Sequence, residues 1–181
     1  MHEQELTRIK AVKAIFTDVD GVLTDGSIYL GADGHEMKRF TVEDGVGVAL
    51  ARQAGFYMAL ISGRESQATL TRARQLKIDE VYQGYLNKLE PFELLLKKFG
   101  LLPEEVAYIG DGFVDMPVLE RCGVPVSVPH APPRVKDLAI YITTTTGGRG
   151  VFSEVVQWIL THQGRLEEVF AAMRTGIYKA D

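Results

Sequence analysis

The chain has 181 residues, 46% apolar and 24% charged, with a formal net charge of -4. That balance suits one globular domain spanning 1–181 with its own core, and the net negative charge argues against non-specific nucleic-acid binding, which needs a basic face. The lone cysteine, Cys122, belongs to no disulfide framework and reads as a small buried hydrophobe near a helix end. With no apolar run of membrane-spanning length and a charged opening, MHEQELTRIK, unlike a signal peptide, a cytoplasmic protein without membrane partners is expected.

In chain order, AVKAIFTDV (11–19) reads as a buried strand after a charged lead-in. GSIYLGADGHEMKRF (26–40) reads as a β-hairpin with Asp33 and Gly34 in its turn. VGVALARQAG (46–55) reads as a helix stopped by glycine, and YMALI (57–61) as a second strand. A helix begins near Glu65. In PFELLLKKFG the spacing of Phe92, Leu95, Leu96 and Phe99 predicts a helix between Pro91 and Gly100. VAYI (106–109) and VPVSV (124–128) are further strands. Two helices close the chain, one using Phe152, Val155, Val156 and Ile159, the other, in a tail over about 164–181, using Leu166, Val169, Phe170 and Met173. Short strands alternating with helices indicate an α/β fold with a doubly wound parallel sheet. The projecting hairpin breaks the alternation and, being marginal alone, needs something to pack on, such as another subunit.

The chemistry gathers at strand ends. Asp18 and Asp20 close the first strand, and Gly21 lets the chain turn at once. Asp111 and Asp115 follow VAYI. If the two strands are neighbours in a parallel sheet, Asp18 and Asp111 meet at one edge, and two carboxylates with a carbonyl and waters suit Mg2+. An aspartate can also attack phosphorus, and a second carboxylate can pass the proton to the leaving oxygen and take one from water. The transferring phosphoryl then needs donors around it. Ser62 in ISGRE and Lys88 in NKLEP are placed to supply them.

These four pieces, DVDGVLT (18–24), ISGR (61–64), the lysine of NKLEP (87–91) and GDGFVD (110–115), resemble in order and placement the haloacid dehalogenase superfamily of phosphotransferases. The resemblance implies Asp18 as nucleophile and Asp20 as general acid/base. It implies Ser62 and Lys88 as phosphoryl ligands. Mg2+ would be held by Asp18, Asp111 and the backbone carbonyl of Asp20, with Asp115 orienting Lys88 or metal-bound water. The hairpin in place of a cap domain, KRFTVEDGVGV (38–48), VYQG (81–84) and GGRGVFSEVVQWIL (147–160) resemble, more narrowly, the 3-deoxy-D-manno-octulosonate 8-phosphate phosphatase family. That likeness implies a sugar-phosphate substrate of lipopolysaccharide precursor synthesis. It implies a homotetramer in which one subunit's hairpin covers the neighbouring active site, and substrate contacts from Arg64, Arg149 and Thr24. Lys38 or Arg39 of the hairpin is a further candidate for the substrate carboxylate. The family's GDD is here GDG, so Gly112 removes one carboxylate beside the metal.

Simpler roles stand beside these. Asp25, Asp33 and Asp44 read equally well as turn or cap residues. Ser62 could cap the following helix, Lys88 could be a solvated lysine, and Arg64 and Arg149 could form structural ion pairs. Gly45 and Gly47 read as glycines of tight packing, and His2, His35, His130 and His162 as surface residues without metal-ligand spacing. Two functional alternatives stay open. One is a phosphatase of nine-carbon sugar-acid 9-phosphates. The other is a non-catalytic receiver-like module that stores phosphate on an aspartate, for which Asp20 has no use.

Overall fold

A computed structural model describes residues 3–175; His2 and the end of the C-terminal tail lie outside the described residues. The charged lead-in is a helix, α1 (Glu3–Lys10), anchored by buried Ile9. It leads into β1 (Ala14–Thr17), whose side chains are all buried. The strand stops at Thr17, two residues short of the reading from sequence, so Asp18 opens the loop. The hairpin forms as β2 (Tyr29–Leu30) paired antiparallel with β3 (Glu36–Met37). Asp33 Oδ1 accepts from the His35 N–H across its turn.

The remaining strands are β4 (Tyr57–Ile61), β5 (Glu80–Tyr82), β6 (Val106–Ile109), β7 (Val124–Ser127) and β8 (Tyr141–Ile142). With β1 they form a sheet in the order β5-β4-β1-β6-β7-β8, parallel throughout. The edge strands β5 and β8 escaped the reading from sequence. They are three and two residues long and only partly buried, so they lack the continuous apolar run that marks β1 and β6.

This order turns around between β1 and β6. The chain winds outward through β4 and β5, then returns to lay β6, β7 and β8 on the other side of β1. Loops leaving β1 and β6 therefore part in opposite directions and open a crevice at the carboxyl edge, where doubly wound sheets take their ligands. Thr17 is level with both Leu60 and Ile109, so Asp18, Ser62 and Asp111 all leave the sheet at that edge.

Helices α3 (Gln67–Leu76) and α4 (Leu89–Phe99) follow β4 and β5, and the short helices α5 (Met116–Arg121) and α6 (Pro133–Lys136) follow β6 and β7. Phe92 of α4 meets Phe16 of β1 edge to face, ring centroids 6.1 Å apart, in the centre of one core layer. On the opposite face, α2 (Val42–Gln53) packs along α7 (Val151–His162). α2 starts four residues before the reading from sequence because Thr41 caps it, accepting from the Glu43 N–H. A Cβ on Gly47 would lie 2.5 Å from Ser153 Cα, so glycine sets the closeness of the two helices. Gly45 meets only ordinary contacts. The last helix, α8 (Leu166–Arg174), buries Val169, with Leu166, Phe170 and Met173 partly covered.

Asp44 caps a helix that is not its own. The α7 N-cap is Gly150, which has no side chain, and Asp44 Oδ1 accepts from the Phe152 N–H at 2.9 Å. Its Oδ2 is buried without a partner, and burial outweighs the helix amides, pushing the carboxyl up to about 7. A raised carboxyl pKa in the folded state means stability that is present below the unfolded value and lost as pH rises through the folded one. Asp44→Asn keeps an acceptor for Phe152 and removes the charge. It is expected to be more stable than the native chain above pH 7, by about 1–3 kcal/mol, and equal to it near pH 4. Urea unfolding of both proteins at the two pH values checks this.

Candidate active site

Asp18 is the first residue past β1, and its N–H still bonds to Ile109 O, extending the ladder onto β6. Its Oδ1 accepts from the Val19 N–H at 2.7 Å and from Lys88 Nζ at 2.8 Å. Lys88, just before α4, is fully buried, and its ammonium also meets Asp115 Oδ1 at 2.7 Å. It is no solvated lysine. Asp115 takes a second bond on Oδ1 from the Tyr108 hydroxyl at 2.6 Å. Its Oδ2 accepts from the N–H groups of Asp111 and Gly112. Four donors thus occupy Asp115 and hold it as the orienter of Lys88.

Carboxylate oxygens of Asp18, Asp111 and Asp115 lie within 4.8 Å of one another. Three carboxyls against one ammonium leave the cluster short of positive charge. Burial, and next the Asp115 charge, push the Asp18 carboxyl up to about 8. The same two causes raise Asp111. Burial alone would lower the Lys88 ammonium, but Asp18 and Asp115 more than offset it and hold its pKa above the usual lysine value. Since Asp115 is saturated, Asp18 and Asp111 are the two carboxylates free to hold a cation, and hard oxygens in this number suit Mg2+, which keeps several waters.

Glycines make the closeness possible. Gly21 has φ +96, and a Cβ there would overlap Asp111 Oδ2. A Cβ on Gly147 of the GGRG segment would in turn overlap Gly21 O, so that segment lies directly on the first loop. Its approach is held by Glu154, which accepts from the Tyr141 hydroxyl and from the Thr144 and Thr145 N–H groups. Those bonds, against the opposing effect of burial, take Glu154 down to about 2.

The other candidate residues divide. Asp20 sits at the crevice, where Lys38 of the hairpin grips both its oxygens at 2.6 and 2.8 Å. The hairpin therefore packs on its own chain's site. Ser62 is buried at the end of β4, its hydroxyl turned into its own loop, donating to Arg64 O and accepting from the Arg64 N–H. It is not a helix cap, because Ser66 caps α3. The three residues that the resemblance assigns to the substrate have these partners within the chain. Thr24 is fully buried and pins the first loop, its hydroxyl accepting from the Gly21 and Gly26 N–H groups. Arg64 pairs with Glu36 of the hairpin at 3.0 Å. Arg149 is exposed and lines a cavity of about 380 Å³ with Glu43, Tyr141 and Thr144, which contains none of the Asp18 cluster. Arg39 pairs with Asp25 at 3.4 Å. One residue at the site went unread, and another was read only as a surface histidine. Tyr108 looks like any core aromatic in VAYI, and His130 Nε2 stands 3.6 Å from Asp111 Oδ2. Their signal lies in strand register, which sequence spacing does not carry.

The sequence pattern of the haloacid dehalogenase-like hydrolases matches residues 78–155. The 3-deoxy-D-manno-octulosonate 8-phosphate phosphatase KdsC of Salmonella typhi is 42% identical over 163 residues, 90% of this chain and 87% of that protein. The chain belongs to the haloacid dehalogenase-like hydrolases. It is a phosphatase of that family, related over nearly its whole length to the octulosonate phosphate enzymes. The 1.95 Å crystal structure of the Yersinia pestis enzyme superposes with a TM-score of 0.88 at 38% identity, covering 92% of this chain and 90% of that one. The Moraxella catarrhalis enzyme, crystallised with magnesium, phosphate and a KDO molecule, gives 0.91 at 35% identity, covering 96% and 99%. Its magnesium agrees with the donor set of Asp18 and Asp111 here. Gly112 is not required by the backbone, since its φ is -108 and a Cβ there meets nothing closer than 3.5 Å.

Raised carboxyl pKa values make cation binding compete with protons. Mg2+ added to the metal-free protein at pH 7 is expected to release protons, and its affinity to fall as pH drops from about 8 to 6. Titration calorimetry in two buffers of different ionisation enthalpy reads the proton count. A count of zero would show both carboxyls already ionised.

Proposed function

We propose that the protein hydrolyses 3-deoxy-D-manno-octulosonate 8-phosphate to the free sugar acid and phosphate through an aspartyl-phosphate on Asp18. The observation that carries the chemistry is the buried Asp18–Lys88–Asp115 array beside Asp111. Similarity over 90% of the chain, at 42% identity, to an octulosonate 8-phosphate phosphatase supports the substrate.

With Asp18 Oδ1 held by Val19 N–H and Lys88, Oδ2 is the oxygen left to attack phosphorus. The bond from phosphorus to the sugar oxygen breaks as Asp20 delivers a proton to that oxygen. In the second step Asp20 takes a proton from water, whose oxygen displaces Asp18 and completes inorganic phosphate. Lys88 stays in place throughout and offers its ammonium to the phosphoryl oxygens. Ser62 joins it by turning its hydroxyl away from Arg64. A bound Mg2+, held by Asp18, Asp111 and the Asp20 carbonyl, supplies further positive charge for the transferring group. Lys38, already on Asp20, is the hairpin cation nearest the leaving sugar. The receiver-like alternative fits poorly. Receiver modules place one strand outside β1 on that side, whereas here β4 and β5 both lie there.

We also assign the exposed apolar residues of the hairpin, Ile28, Tyr29, Leu30 and Met37, to contacts with a neighbouring subunit in a homotetramer. Sedimentation showing monomer alone would remove that assignment.

Asp18→Asn keeps acceptors for Val19 and Lys88 but loses the nucleophile. It is expected to lower Mg2+-dependent phosphate release roughly 10³-fold or more with an unchanged circular dichroism spectrum; full activity would reject the covalent route. For the substrate, kcat/KM is compared for octulosonate 8-phosphate, nonulosonate 9-phosphates and simple hexose phosphates. The first is expected to lead by at least about tenfold, and a preference for either of the others reassigns the enzyme.

A further inference from the structure

Glu36 has no part in the chemistry above. It lies in β3, and its carboxylate stands between two cations. Oε2 accepts from Arg64 Nη2 at 3.0 Å, and Lys38 Nζ is 3.8 Å from Oε1. Lys38 in turn holds both oxygens of Asp20. Asp20, Lys38, Glu36 and Arg64 thus form a series of alternating charges that sums to zero. The series reaches the edge where Asp18, Ser62 and Asp111 leave the sheet, since Arg64 is two residues past Ser62.

The bridge through Glu36 is incompletely made. Its Oε1 is buried without a hydrogen bond, the Lys38 ammonium being too far to donate one. Arg64 meets Glu36 through one nitrogen and is half exposed, although a guanidinium is shaped to take a carboxylate through two parallel bonds. The Lys38 side chain is fully enclosed and committed to Asp20. Arg64 is therefore the cation of the series that an incoming anion can reach. The displaced side chain also has somewhere to go. Glu36 borders a cavity of about 700 Å³ between the hairpin and α3, and another cation, Arg72, lines it too.

We infer that Glu36 is a built-in competitor for the carboxylate of the substrate: it occupies Arg64 in the free protein, and a sugar acid displaces it to bind. The inference rests on the reading of the substrate as a sugar acid phosphate. Glu36 then sets how much the sugar carboxylate adds to binding, while a neutral sugar phosphate has no group to compete with it. A half-exposed ion pair is weak, so the competition costs the substrate only a few-fold in affinity. The same exchange helps the product leave. Once phosphate is gone the free acid holds Arg64 by its carboxylate alone, and Glu36 takes the guanidinium back.

The test measures kcat and KM of the full chain with Mg2+ on octulosonate 8-phosphate and on glucose 6-phosphate, and inhibition by free octulosonate. Glu36→Gln keeps the shape of the side chain and removes its charge. It is expected to lower KM for octulosonate 8-phosphate and the inhibition constant of the free acid, each about 3-fold, without the same change in KM for glucose 6-phosphate. Glu36→Asp, which keeps the charge, is expected to restore the native values. In an Arg64→Ala background Glu36→Gln is expected to change neither constant, because both residues act through one guanidinium. Loss of a merely structural bridge would instead raise KM or lower kcat for both substrates alike. An unchanged or raised KM for the sugar acid, an equal fall for both substrates, the same fall in Glu36→Asp, or an effect that survives Arg64→Ala overturns the assignment. A native chain that prefers glucose 6-phosphate overturns the substrate reading, and the role of Glu36 falls with it. A native chain that prefers octulosonate 8-phosphate with a KM indifferent to Glu36→Gln loses only the assignment of Glu36.

Discussion

The site depends on one buried ammonium. Lys88 has no access to solvent, and moving such a charge from water costs several kcal/mol unless partners surround it. Asp18 and Asp115 surround it, and Asp115 is itself held by Tyr108 and two backbone N–H groups. Each member is tolerable only because the others are present. The array is thus a rigid block with one carboxylate, Asp18, turned toward the crevice. A carboxylate fixed in this way, if it attacks phosphorus as proposed, requires little rearrangement before reaction, which is where electrostatic preorganisation is most effective.

The block also explains the appetite for a cation. One ammonium cannot balance three carboxyls, and burial raises the pKa values of Asp18 and Asp111 until protons compete for them. A divalent ion resolves the same imbalance without protonating Asp18. The strand order does the assembling, because only at the reversal between β1 and β6 do two acidic loops face each other at a carboxyl edge. The first loop is then sealed by glycines. Gly21 gives Asp111 room, and Gly147 lets the GGRG segment lie on Gly21.

The hairpin gives the crevice its outer wall. Lys38 holds Asp20, and Glu36 takes Arg64, so ion pairs link the first loop to the loop after β4. The apolar side chains of β2 and β3 meanwhile face solvent, an arrangement that suits a covered surface better than a free one.

Much of this was legible in the amino-acid order. Buried strands such as β4 and β6 announced themselves as unbroken apolar runs, and the aspartates, Ser62 and Lys88 stood at their ends because chemistry in this architecture sits where strands stop. Local rules also gave the hairpin turn and the end of α4. What sequence spacing could not supply was distance across the sheet. Tyr108 and His130 look ordinary in VAYI and VPHAPP, and their meaning comes from which strand lies beside which. The present partners of Thr24, Arg64 and Arg149 were illegible for the same reason, since a polar side chain near a site can serve the loop as readily as a ligand, and only packing shows which loop it serves. Residue identity along the chain determined which chemistry was available. Tertiary structure decided which charges share a low-dielectric pocket, because electrostatic interaction depends on separation in space and on burial, neither of which is a property of the sequence alone.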